Sequence, residues 1–438
     1  MIVMKFGGTS LGDSERITHV GKIITKHLDR NPLIVVSAIG DVTDLLLEAV
    51  KKAGQGQVEF DAIHDKHYKI IEDLSLDETA FSLDFDDMKR ILMGISYLRE
   101  VSPRVEDMFV SFGERLSAKI LARYLTLQGT EARMFPAYDC GLITDSTYGN
   151  AKVLNESYDA IRLNMKDVHE VPVVTGFIGK DRDGNITTLG RGGSDYTASI
   201  FGAALNAEEI WIWTDVTGIM TADPAVISEA GSIGHLSFRE AGELAYYGAR
   251  VLHPATIMPA MKKGIRVRVL NTFAPDQPGT TITEHAVSHE KGVKSIAYKE
   301  NQALIHIDSA RMFMAYGFLA KIADIFARYR VILDMISTSE TTVSLTAAPG
   351  QDIEPALKEI EEFADFEVDY GKTILCVVGE GIPGVGNVAS RMLSVLEKAN
   401  IILEMISQAK IGINISVLIN DEDIDKAVKV LHKEFFPE

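Results

Sequence analysis

Ile2-Val3-Met4-Lys5-Phe6-Gly7-Gly8-Thr9-Ser10 opens the chain, and the reading of this stretch decides the fold. A short apolar strand runs into two glycines and two hydroxyls. Past Gly12, Asp13-Ser14-Glu15-Arg16 leads into apolar residues at helical spacing: Ile17, Val20, Ile23, Ile24 and Leu28. Strand, glycine turn and helix bring bare backbone N–H groups up to a phosphate, and Lys5 adds a mobile positive charge. This is not a P-loop, because the lysine precedes the glycines and the Gly-x4-Gly-Lys-Ser/Thr spacing is absent. Alone, Gly7-Gly8 reads as an ordinary strand-end turn. A second glycine loop, Gly190-Arg191-Gly192-Gly193-Ser194-Asp195, opens a small-residue helix downstream and overturns that reading.

Between the two loops, strands and helices alternate. Pro32 to Ala38 reads as a buried parallel strand, Leu45 to Lys52 as a helix, and residues 58–128 as almost wholly helical. Thr43, at the head of its helix, has the ordinary reading of an N-cap. Glu114 precedes a strongly apolar helix and has the ordinary reading of a solvated or paired carboxylate. Val171 to Gly179, Glu209 to Thr214, Val267 to Leu270 and Thr280 to Thr283 read as further strands, with a hairpin turn at Asp181–Asn185. The alternation predicts a mostly parallel sheet covered on both faces, with ligands beyond the strand carboxyl ends.

The 438 residues allow two to four domains. Net charge is −18, which excludes a nucleic-acid or anionic-membrane partner as the main function. Cys140 and Cys376 lack partner spacing, so zinc is not expected and the pattern suits a reducing cytoplasm. No leader and no apolar run long enough to span a bilayer is evident.

Beyond an exit segment from Thr272 to Lys294 the chain repeats itself. Leu304-Ile305-His306-Ile307 matches Ile374-Leu375-Cys376-Val377, and Val331 to Ser337 matches Ile401 to Ser407, both 70 residues on. Each copy reads strand, helix, strand, strand, helix. Gly379-Glu380-Gly381-Ile382-Pro383-Gly384 mimics a dinucleotide fingerprint. Too little chain follows it to build such a sheet, and the repeat accounts for its elements.

Taken together, Lys5 to Ser10, Val36-Ser37-Ala38 with Thr43, Ser111-Phe112-Gly113-Glu114 and Gly190 to Asp195 resemble aspartate kinases. Trp213-Thr214-Asp215-Val216-Thr217-Gly218-Ile219 and Val251-Leu252-His253-Pro254 extend the match. The resemblance runs from Met4 to the C-terminus. It is nearest to the monofunctional lysine-sensitive type, without a homoserine dehydrogenase half. It implies an α/β amino acid kinase fold, a mostly parallel sheet between helical layers, over residues 1–285. Two α+β ACT (ferredoxin-like) modules would follow, over 295–370 and 371–438, and a strand exchange would blur the boundary near Tyr370. The implied reaction is transfer of the ATP γ-phosphoryl group to the β-carboxylate of L-aspartate, the first step toward lysine, threonine and methionine.

The resemblance also assigns residues. Lys5, Gly7, Gly8, Arg191 and Asp195 would be catalytic; Ser37, Thr43, Glu114, Phe177, Arg191 and Asp195 would hold aspartate. ATP would lie against Lys5, Phe6, Gly7, Gly8, Thr9, Ser10, Gly192, Gly193, Thr214, Asp215, Met220 and Arg250, with Mg²⁺ carried on its phosphates and no protein metal site. Met220, Ala225 and Arg250 depart from the tyrosine, arginine and lysine of lysine-sensitive relatives. A lysine effector would meet Met312, Ala315, Gly317, Phe318, Leu319, Asp334, Thr338, Ser339 and Glu340. Asp334 and Glu340 would offer it two carboxylates, while the second copy would serve as a partner surface. A cytoplasmic homodimer or dimer of dimers is expected. Two other readings stand beside this one: a kinase acting on acetylglutamate or uridylate, and a non-catalytic ACT sensor. Glu114, suited to a free ammonium, argues against the first. The full set of loops argues against the second.

Overall fold

The structure is a computed structural model that describes residues 1–248, 254–285, 292–313, 316–382, 387–409 and 412–437. It divides into two compact units. The first comprises Met1–Ile219, Ser232–Ala241 and Arg250–His285; the second comprises Met220–Gly231, Gly242–Ala249 and Ala286–Glu438. A single cut near 285 therefore misses two short segments that belong to the second unit.

In chain order the first unit carries β1 (Ile2–Phe6), α1 (Ser14–Lys26), β2 (Pro32–Val36), α2 (Val42–Gly54), α3 (Asp61–Asp73), α4 (Ser82–Leu98), α5 (Pro103–Val110) and α6 (Phe112–Leu127). It continues with β3 (Ala132–Phe135), α7 (Glu156–Asn164), β4 (Val171–Thr175), the hairpin β5 (Ile178–Lys180) and β6 (Ile186–Thr188), α8 (Gly193–Leu205) and β7 (Glu209–Thr214). β8 (His235–Ser237), the start of α9 (Phe238–Tyr246), α10 (Met258–Lys262), β9 (Arg266–Asn271) and β10 (Thr280–Thr283) follow, the residues of α9 from Gly242 on belonging to the second unit.

Eight of these strands form one sheet in the order β3-β4-β2-β1-β7-β9-β10-β8. Every pairing is parallel except β9 with β10. β1 and β2 are buried on both faces, as their unbroken apolar runs require. β1 lies in the interior of the sheet, in register with β2 through Phe6↔Val36 and with β7 through Phe6↔Trp213. The loops after these strands therefore emerge side by side. α1 is capped by Asp13, whose side chain accepts from the Arg16 N–H. Thr43 is not a cap: Asp41 occupies that position at α2.

The second unit is built on a six-stranded sheet, β12-β13-β11-β14-β16-β15. Its strands are β11 (Ser295–Asp308), β12 (Leu333–Thr338), β13 (Thr342–Ala347), β14 (Asp365–Val378), β15 (Met405–Gln408) and β16 (Asn414–Asn420). Its helices are α11 (Phe318–Arg328), α12 (Glu354–Glu361), α13 (Val388–Lys398) and α14 (Ile424–Phe435). The two long strands pair antiparallel along their length, with register shifts between Lys299 and Leu304. Residues 304–308 of β11 pair with 365–369 of β14 and with β13. Residues 295–299 pair with 374–378, which also pair with β16. The strand that opens each repeat thus supplies the closing edge of the other, and Tyr370 lies within β14.

Candidate active site

A cavity of about 380 Å³ opens at the carboxyl ends of β1, β2 and β4. Lys5, Ser37, Thr43, Glu114 and Phe177 line one part of it, and Gly190, Arg191, Gly192, Gly193, Ser194 and Asp195 the rest. Gly7 and Gly8, just past the end of β1, do not themselves line the cavity, but Gly8 and Gly193 are both sterically required. A Cβ on Gly8 would sit 2.8 Å from the Ala38 carbonyl oxygen and 2.9 Å from that of Gly40, and one on Gly193 would strike the Phe177 ring at 2.7 Å. Gly192 caps α8 in a left-handed conformation, φ 72°, so the N-terminus of that helix faces the cavity bare. Bare backbone at β1 and at α8 is a cradle for an anion.

Charge in the cavity is sparse and specific. The Lys5 ammonium pairs with the Asp195 carboxylate at 2.7 Å, both side chains 12% exposed. Glu114 is buried without a cation. Its Oε1 accepts from the Ala38 N–H at 3.0 Å, and its Oε2 has no partner among the described residues. Burial pushes this carboxyl up to about 8, against the weaker downward pull of the Ala38 N–H. A buried acid left this way is satisfied only by an incoming cation or donor. Arg191 is exposed at the mouth.

Phe177 adds strain. It is a non-glycine residue at φ 66°, held by donating its N–H to Thr197 Oγ1 at 3.1 Å and by its carbonyl accepting from the Leu189 N–H at 2.8 Å. Such a conformation costs ~1–3 kcal/mol and persists only where the surroundings over-determine it. Ser194 and Gly190 also line the cavity and are not among the residues the sequence singles out as ligands. Their place inside the second glycine loop was the available signal.

Several expected nucleotide contacts lie elsewhere. The Phe6 side chain is fully buried and stacked on Trp213 at 5.9 Å. Ser10 is fully buried and shares a 2.7 Å hydrogen bond with Thr272. These two side chains hold the opening loop onto the core, because the apolar strand end must be sealed behind the glycines. Thr9 is exposed, and Thr214 donates to Asp215 at 3.1 Å beyond the end of β7. Met220 belongs to the second unit, where its carbonyl accepts from Ser295. Arg250 and the stretch Val251-Leu252-His253 lie outside the described residues, as does Ala315.

The regulatory candidates divide as well. Gly317 caps α11 at φ 78°; Met312 and Phe318 pack against the first repeat's core, and Leu319 is exposed. Thr338, Ser339 and Glu340 are exposed around the β12–β13 hairpin. Asp334 is different. A register shift between Leu333 and Ile336 turns its side chain inward, where it is fully buried and bonded to Lys299 at 2.6 Å and to the Tyr246 hydroxyl. β12 ends at Thr338 and Glu340 lies in the exposed turn beyond it, whereas Asp334 is held inside by Lys299 and Tyr246, so within one chain the two carboxylates have different surroundings.

The amino acid kinase family model matches residues 1–271, and an ACT domain model matches residues 375–435. The chain is 36% identical to aspartokinase 1, chloroplastic, of Arabidopsis thaliana, over 99% of this chain and 80% of that one. It is 32% identical to lysine-sensitive aspartokinase 3 of Escherichia coli K12, over 100% and 99% of the two chains. Among solved structures it resembles E. coli aspartokinase III in complex with aspartate and ADP, with TM-score 0.86, 30% identity and full coverage of both chains. The same enzyme in complex with lysine and aspartate gives TM-score 0.77 at 30% identity, covering 100% of this chain and 99% of that one. A glycine cradle on a parallel sheet, an acid awaiting a cation and full-length likeness agree: the chain belongs to the aspartokinases of the amino acid kinase family.

Proposed function

We propose that the chain transfers the γ-phosphoryl group of ATP to the β-carboxylate of L-aspartate, giving 4-phospho-L-aspartate, through the residues of the glycine-lined cavity. The observation that carries this reading is Glu114, buried with a bare oxygen in the cavity that also holds Lys5 and the N-terminus of α8. Aspartate brings one ammonium and two carboxylates. Glu114 takes the ammonium and Arg191 the α-carboxylate, leaving the β-carboxylate to Ser37 and Thr43. That carboxylate is already ionised near neutrality, so no general base is required. Lys5 leaves Asp195 for the phosphates and, with the Gly8 and Gly192–Gly193 backbone, meets charge shifting in the transition state.

Mg²⁺ fits this arrangement as a passenger of the nucleotide. Among the described residues no group of three or more His, Cys, Asp or Glu gathers to cage a metal. When bound it would neutralise phosphate charge. The test is ADP release, coupled to a dehydrogenase readout, with L-aspartate against N-acetyl-L-glutamate and UMP. Turnover with aspartate alone is expected; turnover with either rival and none with aspartate would overturn the assignment.

For regulation we propose lysine as the effector, supported by the lysine-bound relative. Within one chain Asp334 is committed to Lys299 and Tyr246 and Glu340 is exposed, so a lysine touching both carboxylates would be one shared between two chains. Exposed Ile332 and Ile336 in the first repeat, with Ile402 and Ile406 in the second, provide matched apolar surface for such an assembly. Among the described residues no helix is long and apolar enough to cross a membrane.

A further inference from the structure

A second cavity in the first unit is larger than the catalytic one. It measures about 850 Å³, within the range of about 300–1,000 Å³ typical of small-molecule sites. One wall is a single face of α6, where Arg115, Lys119 and Arg123 recur at four-residue intervals. The opposite wall is β3, the edge strand of the sheet, carrying Arg133. Only two carboxylates line the same space, Asp77 and Asp84.

Asp84 is shared by two of the cations, Lys119 at 2.6 Å and Arg115 at 3.5 Å. Arg133 reaches Glu170 at 3.5 Å, outside the lining. Arg123 lies over the Phe81 ring at 5.8 Å, with no carboxylate in ion-pair contact among the described residues. Leu76, Ala122, Met134 and Pro136 supply apolar floor beneath these charges, and Tyr138 stands at one end. In a chain of net charge −18, an excess of cations converging on a roomy, partly apolar cavity is the reverse of the average surface.

We propose that this cavity is a second ligand site, for a small organic anion bearing a carboxylate or phosphate on an apolar or aromatic body. The head group meets the Arg123 guanidinium, which opens to solvent beside the Asp84-bound Arg115 and Lys119, and the body lies on Met134 and Pro136; Arg133 stacks over the Phe135 ring at 4.4 Å and stands apart from this grip. A purely inorganic anion leaves that floor uncovered, and a neutral apolar molecule leaves the cations unmatched.

Equilibrium dialysis of the full chain, with the catalytic cavity saturated by MgADP and aspartate, tests this. The probes are phenyl phosphate, 3-phenylpropionate and inorganic phosphate. At least one of the two aromatic anions is expected to bind at one molecule per chain, and the tighter of them identifies the head group. Inorganic phosphate should bind at least about tenfold more weakly than that anion. The variant Arg123→Glu alters one exposed side chain and should weaken the aromatic anion by at least about tenfold. Equal binding by the variant, or no bound aromatic anion, would overturn the proposal. Inorganic phosphate binding as tightly as the aromatic anion would mean an adventitious ion only. Loss of an oligomer by the variant in sedimentation would assign the cavity to a contact between chains and equally overturn it.

Discussion

Glu114 in the first unit and the paired acids of the repeat in the second differ in whether a cation reaches them. In the first, Glu114 has one backbone donor, one bare oxygen and no cation, and burial lifts it to about 8. In the second, Asp334 and Glu404, equivalent positions of the repeat, each face a lysine: Lys299 and Lys372. The uncompensated acid is the one beside a cavity, so its missing partner must come from outside the protein. The compensated acids need no ligand to be stable.

The two repeats differ in turn. Lys372 lies in its own module's opening strand and also donates to Asn420 at 2.9 Å. Its counterpart 70 residues earlier is Gln302, so Asp334 takes its cation from Lys299 and a second donor from Tyr246. The first repeat's acid is therefore held by two donors, one of which, Tyr246, comes from outside the repeat.

The strongest break in this contrast comes from removing a charge from the catalytic cavity. Lys5→Ala should lower kcat by ~10²–10³-fold, about 3–4 kcal/mol, and, because it strands Asp195, should also lower stability by ~1–3 kcal/mol without unfolding the chain at assay temperature. Steady-state assays beside a melting curve separate the two, and a near-normal kcat would refute the phosphate-cradle reading.

Lys372→Met tests the opposite case. It strands Glu404, whose side chain is 21% exposed, and should destabilise the protein by ~1–3 kcal/mol in chemical denaturation while leaving the catalytic KM values alone. An unchanged midpoint would mean that Glu404 finds water as easily as it finds the lysine.

Glu114→Gln sharpens the comparison from the other side. Shape is kept and an uncompensated acid disappears, so kcat/KM for aspartate should fall by ~10-fold or more, about 1.4 kcal/mol, with KM for ATP nearly constant. Stability at pH 9 should hold or rise. Equal losses toward both substrates would make Glu114 a structural residue.

The smallest effect is a proton. Because the folded pKa of Glu114 is raised, its contribution to stability is fully present below the unfolded value of 4.5 and is lost as pH rises through about 8. The ligand-free melting temperature should therefore decline over that window, and less so in Glu114→Gln. Aspartate binding at pH 7 should release close to one proton, because its ammonium draws the carboxyl into the ionised form. Calorimetry in buffers of different ionisation enthalpy measures this, and the variant should release none.

Much of this was legible in one dimension because the signals are local. The apolar run of β1, the glycines behind it and the Asp13 cap each concern a few neighbouring residues, and the 70-residue repeat is a comparison of the chain with itself. Side-chain destinations were harder to read. Nothing local marks Phe6 and Ser10 as core residues of the opening loop, since Trp213 and Thr272 meet them only across the sheet. The unusual backbone of Phe177 is imposed by Thr197 and Leu189 and leaves no trace in composition.

The chain by itself determined the parallel sheet, the two glycine loops and the duplicated module, because hydrophobic period and turn chemistry act over a few residues. Tertiary structure decided which charges stand alone. Glu114 and Asp334 look alike in sequence, each an acid among apolar neighbours. Only folding brings Lys299 to one of them and leaves an oxygen of the other bare, because the energy of a buried charge depends on what the rest of the chain carries to within a few ångströms.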